Sequence, residues 1–209
     1  MTMRRSVLGF VILLQACSSP PAPRRADPAL PPGDLQPLAV GMSWDYVGAL
    51  GDRHVHRVVG RETVGRFDCY VFEQQNGSDI RRLWMISDGR GLRHYRSQDG
   101  RSKPRDHDEP VVHFPLPAAV GDRWDYDADY GLTQVHHSGS IEAIESIQVP
   151  AGEFVCVKVR TIGKTDGAIV LEWTSWYAPG VGLVREEAKH DTGAGQDHYQ
   201  IVLKSFKKA

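Results

Sequence analysis

Nine histidines are the residues of this 209-residue sequence most able to do chemistry, because imidazole is both a metal ligand and a base near neutral pH. His54 and His56 are two apart, which places them on one face of an extended strand. The other candidates are His107, His113, His136 and His137. No three or four of these have the spacing of a zinc site. We therefore predict solvated histidines on strand faces, with no bound metal and no cofactor.

Cys69 and Cys156 each stand two residues after a phenylalanine, in the similar segments 65–69 and 152–156. In an oxidising compartment the two could form a disulfide, provided that the two segments meet near an approximate two-fold axis. The alternative is two buried thiols. Neither cysteine belongs to a Cys-x-x-Cys motif, so the sequence does not indicate a redox catalyst.

Enzyme motifs are missing from the sequence. It has no Gly-x-Ser-x-Gly, no His-Glu-x-x-His, no phosphate loop and no glycine fingerprint after a strand. The acid pair Glu186 and Glu187 is adjacent, so the two side chains diverge on a strand. We nominate no catalytic residue and expect a protein that is not an enzyme, with a hydrolase built from distant residues as an alternative.

Composition and charge are those of an ordinary globular protein, with 41% hydrophobic and 24% charged residues. The formal net charge is -1, and it becomes about -3 if a leader carrying Arg4 and Arg5 is removed. There is no basic field of the kind that attracts nucleic acid, so we expect no nucleic-acid partner.

The N-terminus combines Arg4 and Arg5 with a short apolar run over residues 7–14, too short to span a bilayer. Leu14, Ala16 and Cys17 then match a Leu-x-Ala-Cys box. This segment resembles the leader of bacterial lipoproteins. The resemblance implies that residues 1–16 are a signal peptide and that Cys17 carries palmitate-type acyl chains.

The residue after Cys17 is Ser18, and the lipoprotein resemblance implies outer-membrane sorting on the periplasmic side when this residue is not aspartate. Residues 17–36 are rich in proline and poor in core-forming side chains. We predict an extended tether there, since such a composition favours polyproline II geometry. The partner implied is a membrane, reached through the lipid anchor.

A repeat follows the tether and predicts one duplicated domain over 37–209, with copies at about 37–114 and 115–209. Residues 37–64 placed over 117–144 give 11 identities in 28 positions, where chance gives about two. This alignment equates His56 with His136. An insertion near 146–150 then brings Cys69 over Cys156. Two halves of this size favour a shared core over a solenoid.

The apolar pattern has mostly period two, as in Phe154–Arg160, where Val155, Val157 and Val159 share a face. We predict an all-β fold with about ten antiparallel strands, curved into a half-barrel or barrel, or else a β-sandwich. Residues 141–147 fit a strand or a short helix at a sheet edge. The ten segments are 43–47, 54–64, 68–74, 81–86, 91–96, 123–127, 154–160, 169–177, 183–188 and 198–206.

Two motifs, Val149-Pro-Ala-Gly-Glu-Phe154 and Trp176-Tyr-Ala-Pro-Gly-Val-Gly-Leu-Val184, stand in the second copy. With Trp and Tyr two apart in each copy, they resemble a broad group of uncharacterised bacterial envelope lipoproteins. The likeness covers most of residues 37–206. It implies a fold distantly like lipoprotein-carrier and lipid-binding proteins, a curved antiparallel sheet around an apolar hollow.

Six aromatic residues are candidates either for the core or for a ligand-facing wall. Their spacing places Trp44 with Tyr46 on one strand face, and Trp124 with Tyr126 on another. Trp176 and Tyr177 are adjacent and point to opposite faces, so we expect one of them to be exposed or at a rim.

The function expected from these patterns is binding within the cell envelope. The ligand is an apolar small molecule or lipid in a hollow between the halves, or another envelope component at the surface. The alternatives are a structural or assembly factor for an envelope protein, and the unrecognised hydrolase.

Overall fold

The computed structural model describes residues 33–129, 133–166, 168–191 and 195–209. The predicted leader, Cys17 and the tether up to residue 32 lie outside this range. The described chain forms twelve strands: β1 Ser43–Gly48, β2 Arg53–Val64, β3 Phe67–Asn76, β4 Asp79–Asp88, β5 Gly91–Asp99, β6 Arg105–Pro115, β7 Arg123–Asp129, β8 Gln134–Val149, β9 Gly152–Thr165, β10 Ala168–Ala178, β11 Gly182–Asp191 and β12 Gln196–Lys207.

All twelve strands belong to one antiparallel sheet, in the order β6-β5-β4-β3-β2-β1-β12-β11-β10-β9-β8-β7. Each half of the chain is a six-stranded meander, and the β1·β12 ladder joins the halves, with pairs from Ser43↔Lys207 to Gly48↔Ile201. The all-β antiparallel prediction is confirmed, and the sandwich alternative is wrong because a single sheet curls round its own interior.

Two strands exceed the ten expected. β6 runs over Arg105–Pro115, and β8 covers residues 134–149, including the segment that also fitted a short helix. That segment is strand, with a bulge between Ile141 and Ala143 where β8 pairs with β9. Within the described ranges, no helix is long and apolar enough to cross a membrane.

The two edge strands, β6 and β7, meet along a seam that nearly closes the sheet into a barrel. The indole of Trp124 on β7 donates to the backbone oxygen of Val112 on β6 at 3.1 Å. The guanidinium of Arg105 on β6 donates to the backbone oxygen of Asp129 on β7 at 2.8 Å. Side chains therefore bridge the seam where a backbone ladder joins the other strands.

The strand registers give the correspondence between the halves and correct one part of the predicted alignment. Trp44 pairs with His56 on β2, whereas Trp124 pairs with Gly139 on β8. The shift of 80 residues on the first strand therefore becomes 83 on the second, because 14 residues separate Trp124 from Gly139 along the hairpin and 11 separate Trp44 from His56. His56 corresponds to Gly139 and not to His136, and the residue of the second half that corresponds to His54 is His137.

Gly139 is the residue that lets Trp124 take a different position from Trp44. A Cβ at Gly139 would lie 2.2 Å from the Trp124 ring. The indole thus occupies the space that the His56 side chain fills in the first half. The two halves share a backbone plan and differ in what fills the interior at this level.

The core closes one end of the barrel. There, buried Leu92, Phe114 and Val181 pack beside the turns that follow even-numbered strands. Leu35 and Gln36 also lie in this core, and Gln36 accepts a 3.0 Å hydrogen bond from the backbone of Leu183. The packed domain therefore includes residues 34–36, which the sequence had assigned to the tether.

A matching cluster lies on the outer surface of each half. The indole of Trp84 donates to Glu62 at 2.5 Å, and the indole of Trp176 donates to Glu145 at 2.7 Å. An arginine covers each indole, Arg96 over Trp84 and Arg185 over Trp176, with the guanidinium carbon 5.4 and 5.0 Å from the ring centre. Cation–π contact and hydrogen bonding hold these rings on the outside of the sheet.

Candidate ligand-binding cavity

The end of the barrel opposite the core contains a cavity of about 690 Å³ that opens between the turns following odd-numbered strands. Small-molecule sites in proteins occupy roughly 300–1,000 Å³. Both halves line this cavity: His54, His56 and Arg81 from the first, and Trp173, Glu186 and Tyr199 from the second. The interior is therefore an open space between the two halves, lined by polar, aromatic and aliphatic side chains.

The second half supplies the aromatic wall, defined by Trp173, Tyr177 and Tyr199 on β10 and β12. Ala188 on β11 pairs with Trp173 on one side and with Tyr199 on the other. Its single methyl group leaves a groove between the two rings, since cross-strand partners stand roughly 5 Å apart. Tyr199 is 37% exposed although it lines the cavity, so part of its surface faces open space.

Glu186 lies one layer deeper at the base of that groove. It pairs with Ser175 on β10, whose hydroxyl donates to the Glu186 carboxyl at 3.0 Å. Burial raises the pKa of this carboxyl, and the Ser175 hydrogen bond and the positive field of Arg81 offset only part of the effect. The site thus holds a desolvated acid under two aromatic side chains.

The tyrosines near Glu186 respond to its charge. Burial, and then the neighbouring Glu186 carboxylate, raise the pKa of Tyr177 and of Tyr199 above the ordinary phenol value. The pKa of Tyr46 is raised by the same two causes. Its hydroxyl donates to the backbone oxygen of Leu183 at 3.0 Å. These hydroxyls stay protonated and act as neutral polar groups around the acid.

The first half supplies the polar wall, defined by His56, Gln74, Arg81 and Asp99. These residues follow one another across strands β2 to β5 as ladder partners. Arg81 forms an ion pair with Asp99, with Nε 3.2 Å from Oδ1. A row of hydrogen-bonding groups thus faces the interior at the level where an all-apolar hollow was expected.

His54 and His56 point into the barrel and are each 3% exposed, so the prediction of solvated histidines is wrong for them. The His56 ring contacts Tyr46 and Phe72, with centroids 4.7 and 5.4 Å away. Burial lowers the pKa of His56 to about 3. The inner face of a curled sheet excludes water even where the outer face of the same strand is wet.

Three further histidines cluster on β5 and β6. Nδ1 of His94 lies 3.0 Å from Nε2 of His113, and the His107 ring packs edge-on against His94 at 4.9 Å between centroids. Burial is the main cause that lowers the pKa of each, to about 4 for His113. The cluster is therefore uncharged at neutral pH.

His137 is fully buried on β8 and packs between aromatic rings of the second half. Its ring stacks on Tyr126 at 4.7 Å and faces Trp173 at 5.6 Å, with interplanar angles of 11° and 22°. His136, its neighbour in sequence, lies outside and contacts Asp127 at 2.9 Å. Across the described ranges, no group of three or more His, Cys, Asp and Glu side chains has an arrangement that could hold a metal ion.

The six aromatic candidates have different positions. Tyr126 and Tyr177 line the cavity, whereas Trp44 lies in the core beneath it and donates to the backbone of Val181 at 2.6 Å. Tyr46 is in the same core, and Trp124 lies at the seam. Trp176 and Tyr177 do face opposite sides, but both are 6% exposed, so the expected exposed member is absent. The Arg185 and Lys158 side chains cover Trp176 from outside.

Both cysteines are free and buried. Cys156 belongs to the main core, whereas Cys69 lies in a separate cluster with Val71 and Trp84. Of the two alternatives for this pair, the structure has two buried thiols and not a disulfide. Cys69 and Cys156 occupy corresponding positions in the two halves of the sheet, opposite Glu62 and Glu145, but these positions are not adjacent in the fold.

Sequence reasoning did not nominate Trp173, Ser175, Glu186 or Tyr199 as site residues. Period-two alternation could have identified the β10 residues, because the face of β10 that includes Tyr177 also includes Leu171, Trp173 and Ser175. The same alternation separates Glu186, which lines the cavity, from Glu187, which contacts Arg185 and Gln200. The divergence expected of this pair is what the structure has.

Residues 137–198 match the model of a family described as DUF3108-like. This segment runs from β8 into β12 and includes the aromatic wall, except Tyr199, and Glu186. Two solved structures are similar in fold. One is an inferred lipoprotein of Parabacteroides distasonis, and the other an inferred exported protein of Bacteroides fragilis with a YmcC-like fold.

Each of these two structures has a TM-score of 0.40 and 17% sequence identity to this chain, and each match covers 84% of this chain. The matches cover 99% of the Parabacteroides chain and 100% of the Bacteroides chain. No curated protein matches the sequence.

Proposed function

We propose that this protein is a lipid-anchored binding protein of the bacterial cell envelope, which takes a small molecule into the open end of its barrel. The observation that carries the proposal is the cavity of about 690 Å³ lined by inward-facing polar and aromatic side chains. A barrel stabilised only by packing would fill this space with aliphatic side chains.

The ligand that fits this lining is polar and aromatic, or polar with an apolar body. Ionisable side chains such as Arg81, Asp99 and Glu186 line the cavity, and a bare acyl chain could not satisfy them. Trp173 and Tyr199 offer flat faces for a ring or a hydrocarbon segment. This composition favours a mixed ligand over the apolar small molecule or lipid that the sequence suggested.

Binding explains the cavity better than catalysis does. A general base works best when its pKa lies near the working pH. Burial holds the pKa of His56 at about 3 and that of His113 at about 4. The Ser175 hydroxyl donates to Glu186 instead of to a histidine. His56, His113 and Ser175 are therefore suited to hydrogen bonding with a ligand more than to proton transfer.

The anchor belongs to the proposal through the sequence around Cys17. Growth with a labelled fatty acid is expected to label the protein, and Cys17→Ser is expected to abolish labelling and release the protein from the membrane fraction. Ser18→Ala keeps the cysteine and is the matched control. An unlabelled wild-type chain would remove the anchor from the proposal and leave the cavity untouched.

A fragment screen by NMR tests the binding function directly. With a library of aromatic fragments that carry polar groups, we expect shift changes that map to the cavity-lining strands. Ala188→Trp fills the groove between Trp173 and Tyr199 and is expected to abolish those changes, and Ala188→Leu to weaken them. Val59→Trp is the control, because Val59 is exposed on the outer face of β2.

The outcome of this screen is decisive either way. Hits that map to the cavity and disappear in Ala188→Trp support the binding function. An absence of hits in the folded wild type, or equal hits in Ala188→Trp with its fold intact by circular dichroism, would overturn it. In the second case the fragments bind elsewhere on the barrel.

A further inference from the structure

The charged side chains around the cavity are unbalanced. Arg81 is the one lysine or arginine among the described residues that line it, and its Nε lies 3.2 Å from Oδ1 of Asp99, an ion pair without hydrogen-bond geometry. Three further carboxyl groups line the same space: Asp79, Glu186 and Asp197. Counting arginine, lysine and carboxyl groups, the cavity lining is therefore acidic and favours a cation over an anion.

Glu186 is the least exposed of these acids, and among the described residues it forms no ion pair, although it lies in the field of Arg81. Within the described ranges, no lysine, arginine or histidine nitrogen lies within 4 Å of its carboxyl, in contrast to Glu187, which pairs with Arg185. In the part of the chain that the structure describes, its hydrogen bond comes from Ser175 to Oε2, which leaves Oε1 available. A half-buried carboxyl without an adjacent counter-ion is stabilised by a cation that a ligand brings in.

The groups above Glu186 are those that a cation prefers. Trp173 and Tyr199 flank Ala188, and Tyr177 lies on the same inner face two residues beyond Ser175. The electron-rich face of an indole or phenol attracts a cation within about 6 Å of the ring centre. Trp173 and Tyr199 are each the cross-strand partner of Ala188, so each ring lies about one strand spacing to the side of the groove above Glu186.

We propose that the cavity binds an organic cation, an amine carried on an aromatic or apolar body, with Glu186 as its counter-ion and Trp173, Tyr177 and Tyr199 as its aromatic cage. The inference rests on the proposed binding function and names the chemistry of its ligand. The ammonium lies against Glu186, and the body of the ligand extends toward the opening past Asp197.

A second, independent feature of the cavity is a buried polar atom without a hydrogen-bond partner among the described residues. His56 lines the cavity and is 3% exposed, and its Nδ1 has no hydrogen-bond partner. A buried nitrogen left in this state has lost its hydrogen bond to water without gaining another. A polar group on the body of the ligand can satisfy it, so the ligand carries more than a bare hydrocarbon behind its amine.

Three naphthalene probes of one shape and different charge test the inference. Binding of 1-naphthylmethylamine, 1-naphthalenemethanol and 1-naphthoate is measured by isothermal titration calorimetry at pH 7 with the full chain. The amine is expected to bind about tenfold or more tightly than the alcohol, and the naphthoate more weakly still. Ala188→Trp is expected to abolish binding of the amine.

Two isosteric variants assign the effect to one carboxyl. Glu186→Gln is expected to remove the preference for the amine, bringing its affinity to within about twofold of that of the alcohol. Glu187→Gln, one residue away on the outer face, is expected to leave the preference intact. If Glu186→Gln does not fold, Ser175→Ala, which removes the competing hydrogen bond, is expected to tighten amine binding.

The possible failures differ. Equal binding of all three probes that Ala188→Trp still abolishes would overturn the cation inference and leave the binding function standing. Binding of the amine that survives Glu186→Gln unchanged would do the same. Binding of no probe in the cavity, together with an empty fragment screen, would overturn both.

Discussion

The indole nitrogen of Trp124 and the backbone oxygen of Val112 are joined by a 3.1 Å hydrogen bond across the seam between β7 and β6. At this boundary between the halves the link is made by a side chain. At the other boundary, between β1 and β12, the halves are joined by a backbone ladder. The two boundaries are related by the correspondence of the halves. The seam is therefore the place where the sheet is held by the fewest backbone groups.

We expect Trp124→Phe to loosen this seam. It removes one hydrogen bond and leaves the Val112 oxygen without that donor, a loss of about 1 kcal/mol. Hydrogen–deuterium exchange should then accelerate in β6 and β7 by about fivefold relative to β1 and β12. Trp84→Phe makes the same chemical change far from the seam, and it should not alter that ratio. An unchanged ratio in Trp124→Phe would mean that the indole does not hold the seam.

Gly139→Ala should destabilise the fold by about 1–3 kcal/mol in urea unfolding. The reason is steric, because the new Cβ would lie 2.2 Å from the Trp124 ring. Gly60→Ala on β2 is the matched control, since nothing lies within 4 Å of a Cβ there. It should be neutral within about 0.5 kcal/mol or slightly stabilising. Equal effects of the two substitutions would contradict the placement of the indole over Gly139.

Acid should destabilise the protein through its buried histidines. Burial lowers the folded-state pKa of His56 to about 3, and those of His113 and His137 to about 4, from 6.5 for an ordinary histidine. The unfolded chain therefore takes up protons first as the pH falls below 6.5. The contribution of these histidines to the free energy of unfolding is fully present above pH 6.5, and it is lost progressively as the pH falls toward 4.

His56→Phe removes one of these groups and should make the loss of stability between pH 6.5 and 4 shallower by up to about 1.4 kcal/mol per pH unit. Urea unfolding at several pH values measures the slope. His198→Asn is the control, because His198 is exposed. A slope that His56→Phe leaves unchanged would show that His56 is protonated in the folded state.

The two thiols should be unreactive while the protein is folded. Burial raises the pKa of Cys69 to about 11 and that of Cys156 to about 12, so little thiolate exists at pH 8. Iodoacetamide labelling followed by peptide mass spectrometry should find both cysteines unmodified in the native chain and modified in urea. Rapid native labelling, or a disulfide-linked pair of peptides, would contradict the buried thiols.

Period-two alternation predicts most of the sheet, but it does not find β6. Residues 105–115 contain charged residues and two prolines, which do not resemble a core strand. β6 is an edge strand, and edges tolerate proline and charge because one side of the backbone needs no ladder. The failure arises because position in the sheet, and not the local pattern, decides what a strand can contain.

The site was harder to predict than the sheet, for two physical reasons. Alternation separates Glu186 from Glu187 but does not say which one faces the interior, because the outer face is also packed where Trp176 lies under Arg185. A gapless alignment also paired His56 with His136. Such an alignment could not place the three extra residues of the β7–β8 hairpin, which change the strand pairing at once.

Residues 34–36 join the sheet beside the β10–β11 turn, whereas His190, at the other end of ten-residue β11, stands at the cavity rim. The point where residues 34–36 enter the sheet and the cavity opening therefore lie at opposite ends of the barrel, roughly 30 Å apart along the strand. A solute that enters the cavity therefore does so along the strand axis, at the end of the barrel farthest from residues 34–36.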